Sequence, residues 1–273
     1  MGKGRTATGI VFEVAGDSAG RALPVVLLHA GVADRRMWDE VWDELTADRV
    51  VLRLDLRGFG DSIARPIGPL INHVDVLATM DAVGVRRAHL VGASVGAGVA
   101  VEIGLVEPGR VASLFLVGPG GSLIEHPSEW LSAVWRAEVD ALDSVDLDLA
   151  VEANLRAWVD GPDREPGEVD PEVRALVGAM QRRAFEVTAD WDDVEEDELD
   201  PPAFARLAEI AAPTLVLVGE GDGDVIVEIA ELVAEEVPDA QLVRWPGTAH
   251  LPSMERPGGF AALARDWFAA NDD

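Results

Sequence analysis

Apolar residues fall along this chain in two alternating rhythms. Apolar-rich blocks at 24–29, 50–54, 88–91, 111–117, 214–218 and 240–245 have the length of strands, and those at 24–29, 88–91 and 111–117 read as strands covered on both faces. Between them, 36–48, 70–83, 95–107, 225–237 and 259–270 carry helical periodicity; in 36–48, Trp38, Val41, Trp42 and Leu45 share one face. A shorter strand is predicted at 9–14 and a turn at 16–20. Strand and helix in turn, joined by short links, predict an α/β fold. Its sheet should be mostly parallel and twisted, flanked by helices, with right-handed crossovers and a ligand site at the carboxyl ends of the strands.

The alternation stops after Gly121 and resumes near residue 203. In between, Trp130, Trp135, Val139 and Leu142 form one amphipathic helical face and 149–158 another. A polar break at 161–167 precedes a third helix at 171–186, and an acidic loop at 190–200 closes the segment. The expected organisation is a core domain of 1–121 and 203–273 with a helical cap, 122–202, inserted over the strand ends. The cap should turn some of Trp130, Trp135, Leu155 and Trp158 toward a mostly apolar pocket.

Composition narrows the chemistry. A chain of 273 residues, 48% hydrophobic and 26% charged, buries a full core. The absence of cysteine excludes disulfides, thiolate metal sites and cysteine nucleophiles. A net charge of −28 repels phosphate backbones and anionic headgroups, so neither nucleic acid nor membrane is expected as a partner. No apolar leader or membrane-length stretch is present, and a cytoplasmic location is expected. The acidic loop lacks calcium-loop spacing, and Gly118-Pro-Gly-Gly121 lacks that of a phosphate loop. No metal or cofactor is therefore expected.

Gly92-Ala-Ser94-Val-Gly96 lies between the 88–91 strand and the 95–107 helix. A turn that tight pushes the serine hydroxyl out above the sheet and leaves no room for a Cβ at Gly92 or Gly96. A serine hydroxyl needs a general base, and imidazole has a suitable pKa. Of five histidines, only His250 lies in a loop after the last strand, where it can reach the elbow. Asp222, just past the penultimate strand, is placed to fix the imidazole tautomer, while Asp224 is placed to cap the helix beginning near residue 225. The backbone N–H groups of Val95 and Gly31 are candidates to hold a developing oxyanion.

Taken together, these motifs resemble the α/β-hydrolase superfamily. The resemblance rests on His29-Ala-Gly31 through Trp38, Asp55-Leu-Arg-Gly-Phe-Gly60-Asp-Ser, Gly92-Ala-Ser94-Val-Gly96, Val218-Gly-Glu-Gly-Asp222 and Pro246-Gly-Thr-Ala-His250-Leu-Pro. The capped branch of 3-oxoadipate enol-lactonases, cofactor-free haloperoxidases and carboxylesterases is the most similar. It implies a Ser-His-Asp hydrolase without cofactor. Relatives usually have Gly where Ala30 stands; counting from His29 to Trp38 puts Gly31 at the oxyanion position, with Val32 as the alternative. The function expected is hydrolysis of a small carboxylic ester or lactone through an acyl-enzyme. Carbon–carbon cleavage of a dienone-type substrate is the alternative, although its usual elbow has Asn where Ala93 stands. Haloperoxidase-like chemistry and a non-catalytic small-ligand receptor are the others.

Overall fold

A computed structural model describes residues 2–17 and 22–272; the second half of the turn expected at 16–20 lies outside the described residues. In chain order the first half comprises β1 (Gly2–Arg5), β2 (Val11–Ala15), β3 (Val25–Leu28), α1 (Asp39–Thr46), β4 (Val51–Leu54), α2 (Asn72–Ala82), β5 (Ala88–Ala93), α3 (Val95–Val106) and β6 (Val111–Val117). There follow α4 (Glu129–Asp143), α5 (Leu147–Asn154) and α6 (Pro171–Thr188), then β7 (Thr214–Gly219), α7 (Asp224–Glu236), β8 (Ala240–Trp245), α8 (Pro252–Glu255) and α9 (Pro257–Ala270). One eight-stranded sheet has the order β1-β2-β4-β3-β5-β6-β7-β8. Its β1–β2 and β2–β4 pairs are antiparallel and the others parallel.

The parallel strands are apolar throughout because successive side chains enter two different cores. Val26, Leu28, Leu90, Leu116 and Val218 pack under α2, α3 and α7, whereas Val25, Leu27, Val91, Phe115 and Leu217 pack under α1 and α9. Phe115 stacks on Phe260, with ring centroids 5.1 Å apart, and Trp38 meets the same ring at 5.8 Å. Each such buried aromatic contributes about 2–3 kcal/mol by leaving water.

The face expected on α4 differs from the one observed. Leu131 and Ala141 are its buried residues, while Trp135 and Val139 are 44% and 52% exposed. Two more side chains depart from their expected places. Leu155 packs on α6, its Cδ1 reaching to 3.3 Å from where a Cβ on Gly178 would stand, and Trp130 packs against Gly223. Both positions satisfy an apolar stripe equally well, because a helix between a sheet and solvent can meet a neighbouring helix or a loop with the same periodicity. The strand β1 was not expected, since Gly-Lys-Gly-Arg has no apolar pattern and pairs at the sheet edge through its backbone alone.

Candidate active site

Ser94 follows β5 directly, with its backbone bent to φ 51° and ψ −115°. That conformation costs a non-glycine residue on the order of 1–3 kcal/mol, which the surroundings must supply. Ser94 N–H donates to Val117 O at 2.9 Å, and Ser94 O accepts from Ala97 N–H at 2.9 Å. The approach of α3 to the sheet is so close that a Cβ on Gly92 would lie 2.2 Å from Gly96 O. One on Gly96 would lie 2.6 Å from Leu28 O.

Opposite the elbow, Gly31 is near enough that its Cβ would stand 3.1 Å from Val95 Cγ2. Among the described residues neither the Gly31 nor the Val95 N–H has an acceptor in the chain. Both are free donors beside the Ser94 hydroxyl, and the Val95 N–H opens α3, where the helix dipole adds positive potential. Val32 lines the same space.

The histidines separate by their partners. His29 is fully buried, donating from Nδ1 to Ala30 O (2.8 Å) and accepting Leu56 N–H at Nε2 (2.9 Å). Burial holds it below its ordinary pKa, so it is neutral and pins β3 to the loop after β4. That loop carries Phe59, whose ring meets His29 at 4.9 Å, and it is fixed by buried Asp55, which binds Arg35 and accepts Asp61 N–H at 2.8 Å. His73 bonds Glu102 at 2.9 Å, His89 bonds Ser113 and Asp272, and His126 is exposed. His250 alone shares a cavity with Ser94. Its Nδ1 lies 2.8 Å from Asp222 Oδ2, with both side chains buried. Asp222 Oδ1 accepts Gly223 N–H at 2.7 Å. Asp224 does not hold the cap position expected of it, because α7 starts one residue earlier and Gly223 is its N-cap; as the first residue of α7 it accepts Val225 N–H and the Ser128 hydroxyl, each at 2.7 Å. Ser128 in turn caps α4 by accepting Leu131 N–H at 3.2 Å.

A contact that the sequence did not signal lies above the imidazole. After α5 the helix widens into a π turn over Leu155–Asp160, and this places the Trp158 ring 4.5 Å from that of His250. Trp130 stands edge-on behind it at 5.4 Å. The turn is anchored by Asp160, fully buried and bonded by Arg156 Nη1 and Arg174 Nε at 3.0 Å each.

The cavity has two lobes, of 340 and 290 Å³, that meet at Phe59, Ser94, Val95, Trp135 and Trp158. Trp135 and Trp158 thus line it, whereas Trp130 and Leu155 do not. The larger lobe is apolar at Val99, Leu131 and Ile226 and acidic at Glu102 and along the rim 196–198. The smaller holds His250, Phe185, Glu138, Asn154 and Gln181. Among the described residues no lysine or arginine lines either lobe.

Comparison with known proteins agrees with this architecture. A family model described as the alpha/beta hydrolase fold matches residues 24–257. The chain is 27% identical to a 2-hydroxy-6-oxo-6-phenylhexa-2,4-dienoate hydrolase of Burkholderia cepacia, over 94% of this chain and 92% of the relative. Among solved structures, an esterase from Rhodococcus sp. is 27% identical with a TM-score of 0.72, covering 98% of both chains. An N-acyl homoserine lactone degrading enzyme is 25% identical with a TM-score of 0.72, covering 94% of this chain and 96% of that one. The strand order, the serine elbow and the family match over most of its length lead to one conclusion: this chain belongs to the alpha/beta hydrolase family and is a hydrolase.

Proposed function

We propose that this protein is a serine hydrolase that cleaves an uncharged carboxylic ester or lactone of a small molecule. Ser94 Oγ attacks the carbonyl carbon while His250 takes its proton; Asp222, on Nδ1, holds the tautomer that leaves Nε2 free and stabilises the imidazolium. The oxyanion forms against the free N–H groups of Val95 and Gly31. His250 returns the proton to the leaving alkoxide, then activates water against the acyl-enzyme. The segment 122–202 serves as a lid over the core 1–121 and 203–273, with Trp158 covering the imidazole and Trp135 at the junction of the two lobes. The carrying observation is convergence on one cavity of a strained serine, a carboxylate-bound histidine and two unpaired N–H groups.

Relatives such as the Burkholderia dienoate hydrolase support a second reading, carbon–carbon cleavage, which the same three side chains can perform. Cavity charge favours the ester. A dienoate carries a carboxylate, and burying one without a cation beside Glu102 and Glu138 opposes binding. The test is a panel of p-nitrophenyl esters, lactones and a 6-oxodienoate, run beside labelling with a fluorophosphonate. Labelling of wild type but not Ser94→Ala, with turnover of neutral esters or lactones well above that of the dienoate, is expected. Preferred turnover of the dienoate would transfer the assignment to carbon–carbon cleavage, and absence of labelling would leave Ser94 without its role.

A further inference from the structure

The smaller lobe contains polar groups that the reaction at Ser94 does not use. Glu138 on α4, Asn154 at the end of α5 and Gln181 on α6 converge on its wall from three helices. Asn154 is 4% exposed, and its Nδ2 donates both hydrogens, to Glu138 Oε2 at 2.5 Å and to Ala150 O at 3.1 Å. Among the described residues its Oδ1 has no partner. Gln181 is 5% exposed; among the described residues its carboxamide makes no hydrogen bond, and Oε1 is closed off from solvent with nothing donating to it. Burial raises the Glu138 carboxyl above its ordinary pKa, against the opposing pull of the Asn154 hydrogen bond.

An orphaned amide in a protein interior is destabilising, and a leucine would fill the same volume without that cost. Acceptors outnumber donors among the groups left over here: Asn154 Oδ1, Gln181 Oε1 and the second oxygen of Glu138, against the Gln181 amide nitrogen. With no protein bond holding it, the Gln181 amide can rotate about Cγ–Cδ to present its oxygen to an occupant. We infer that Gln181, Asn154 and Glu138 form a specificity subsite that accepts a hydrogen bond from an amide N–H or hydroxyl on the substrate, beside the ester or lactone cleaved at Ser94. The inference rests on the serine hydrolase reading above.

The experiment compares p-nitrophenyl esters of N-acetylglycine, N-acetyl-β-alanine and N-acetyl-4-aminobutyrate, each with the analogue in which CH₂ replaces NH. Each pair shares its carbonyls and length and differs only in one donor. At one of the three lengths kcat/KM for the amide should exceed that for its analogue by about tenfold, the worth of one such hydrogen bond. In Gln181→Leu that ratio should fall toward one. The variant also removes an unpaired buried oxygen, so its Tm should hold or rise. Ratios near one at every length, or a preference unchanged in Gln181→Leu, would overturn the subsite while labelling of Ser94 stands. Failure of labelling would remove the hydrolase reading and the subsite with it.

Discussion

Two carboxylates, two residues apart, illustrate how position sets a role. Asp222 faces His250 and Asp224 faces Ser128 and the start of α7. Asp222→Asn should slow ester turnover by about three to four orders of magnitude, because the amide favours the wrong imidazole tautomer. Asp224→Ala should instead lower stability by about 1 kcal/mol with turnover changed far less. Steady-state kinetics and urea unfolding on both variants check this, and the reverse pattern would exchange the two roles. His29 gives a pH signature. Its folded pKa lies below the ordinary 6.5 because burial disfavours the cation. Below about pH 6.5 the unfolded chain therefore takes up a proton that the folded chain refuses. Stability is complete above that pH and declines as pH falls toward the folded value, by at most about 1.4 kcal/mol per pH unit. Burial shifts His89 the same way, and the raised Glu138 and Glu196 act with opposite sign. The clean measurement is thus a difference: the change in unfolding free energy from pH 7.5 to 5.5 should be smaller in His29→Gln than in wild type.

Among the elements, the inserted helices meet the loop after β7 by close contact. A Cβ on Gly223 would fall 2.1 Å from Trp130 Cζ3, and Trp130 backs the Trp158 that covers His250. Gly223→Ala should destabilise by about 1–3 kcal/mol through overpacking and lower kcat, since the displaced ring pushes toward the imidazole. Trp130→Leu should relieve most of that cost, and a double-mutant cycle on Tm and kcat tests the coupling. An undiminished cost of Gly223→Ala in the Trp130→Leu background would show that the contact is not its source. These contacts also mark what was legible in advance. Val25–Leu28, Val111–Val117 and Thr214–Gly219 announce themselves because a strand buried on both faces must be apolar throughout. That Ser94, Asp222 and His250 would come together was readable from their places at strand ends. The π turn that carries Trp158 to His250 was not, since a single i→i+5 turn is too short to leave its own period in the apolar pattern. Gln181 and Asn154 were equally hidden, because their burial depends on how three helices lean together.

At the scale of the molecule, Asp and Glu outnumber Lys and Arg by 28, so even complete pairing leaves a strongly negative surface. Screening has two opposed effects, weakening pairs such as Arg206–Glu209 while relieving the general repulsion. Exposed pairs contribute about 0–1 kcal/mol each, whereas the excess charge acts on every part of the surface. Repulsion should win: Tm is expected to rise by several degrees between 0.05 and 1 M NaCl, and a steady fall would show that pairing dominates. The whole-molecule view also changes what the Ser128–Asp224 bond means. Together with Trp130 on Gly223 and Gly161 packed on Gly221, it ties the inserted segment to the loop that presents Asp222. Under the proposed function, the portion of the chain that shapes the cavity and the portion that orients the base then act as one mechanical part. Anyone transplanting residues 122–202 onto a related scaffold to exchange specificity must carry 219–224 along as well, or the graft will arrive with a new pocket and a misplaced Asp222.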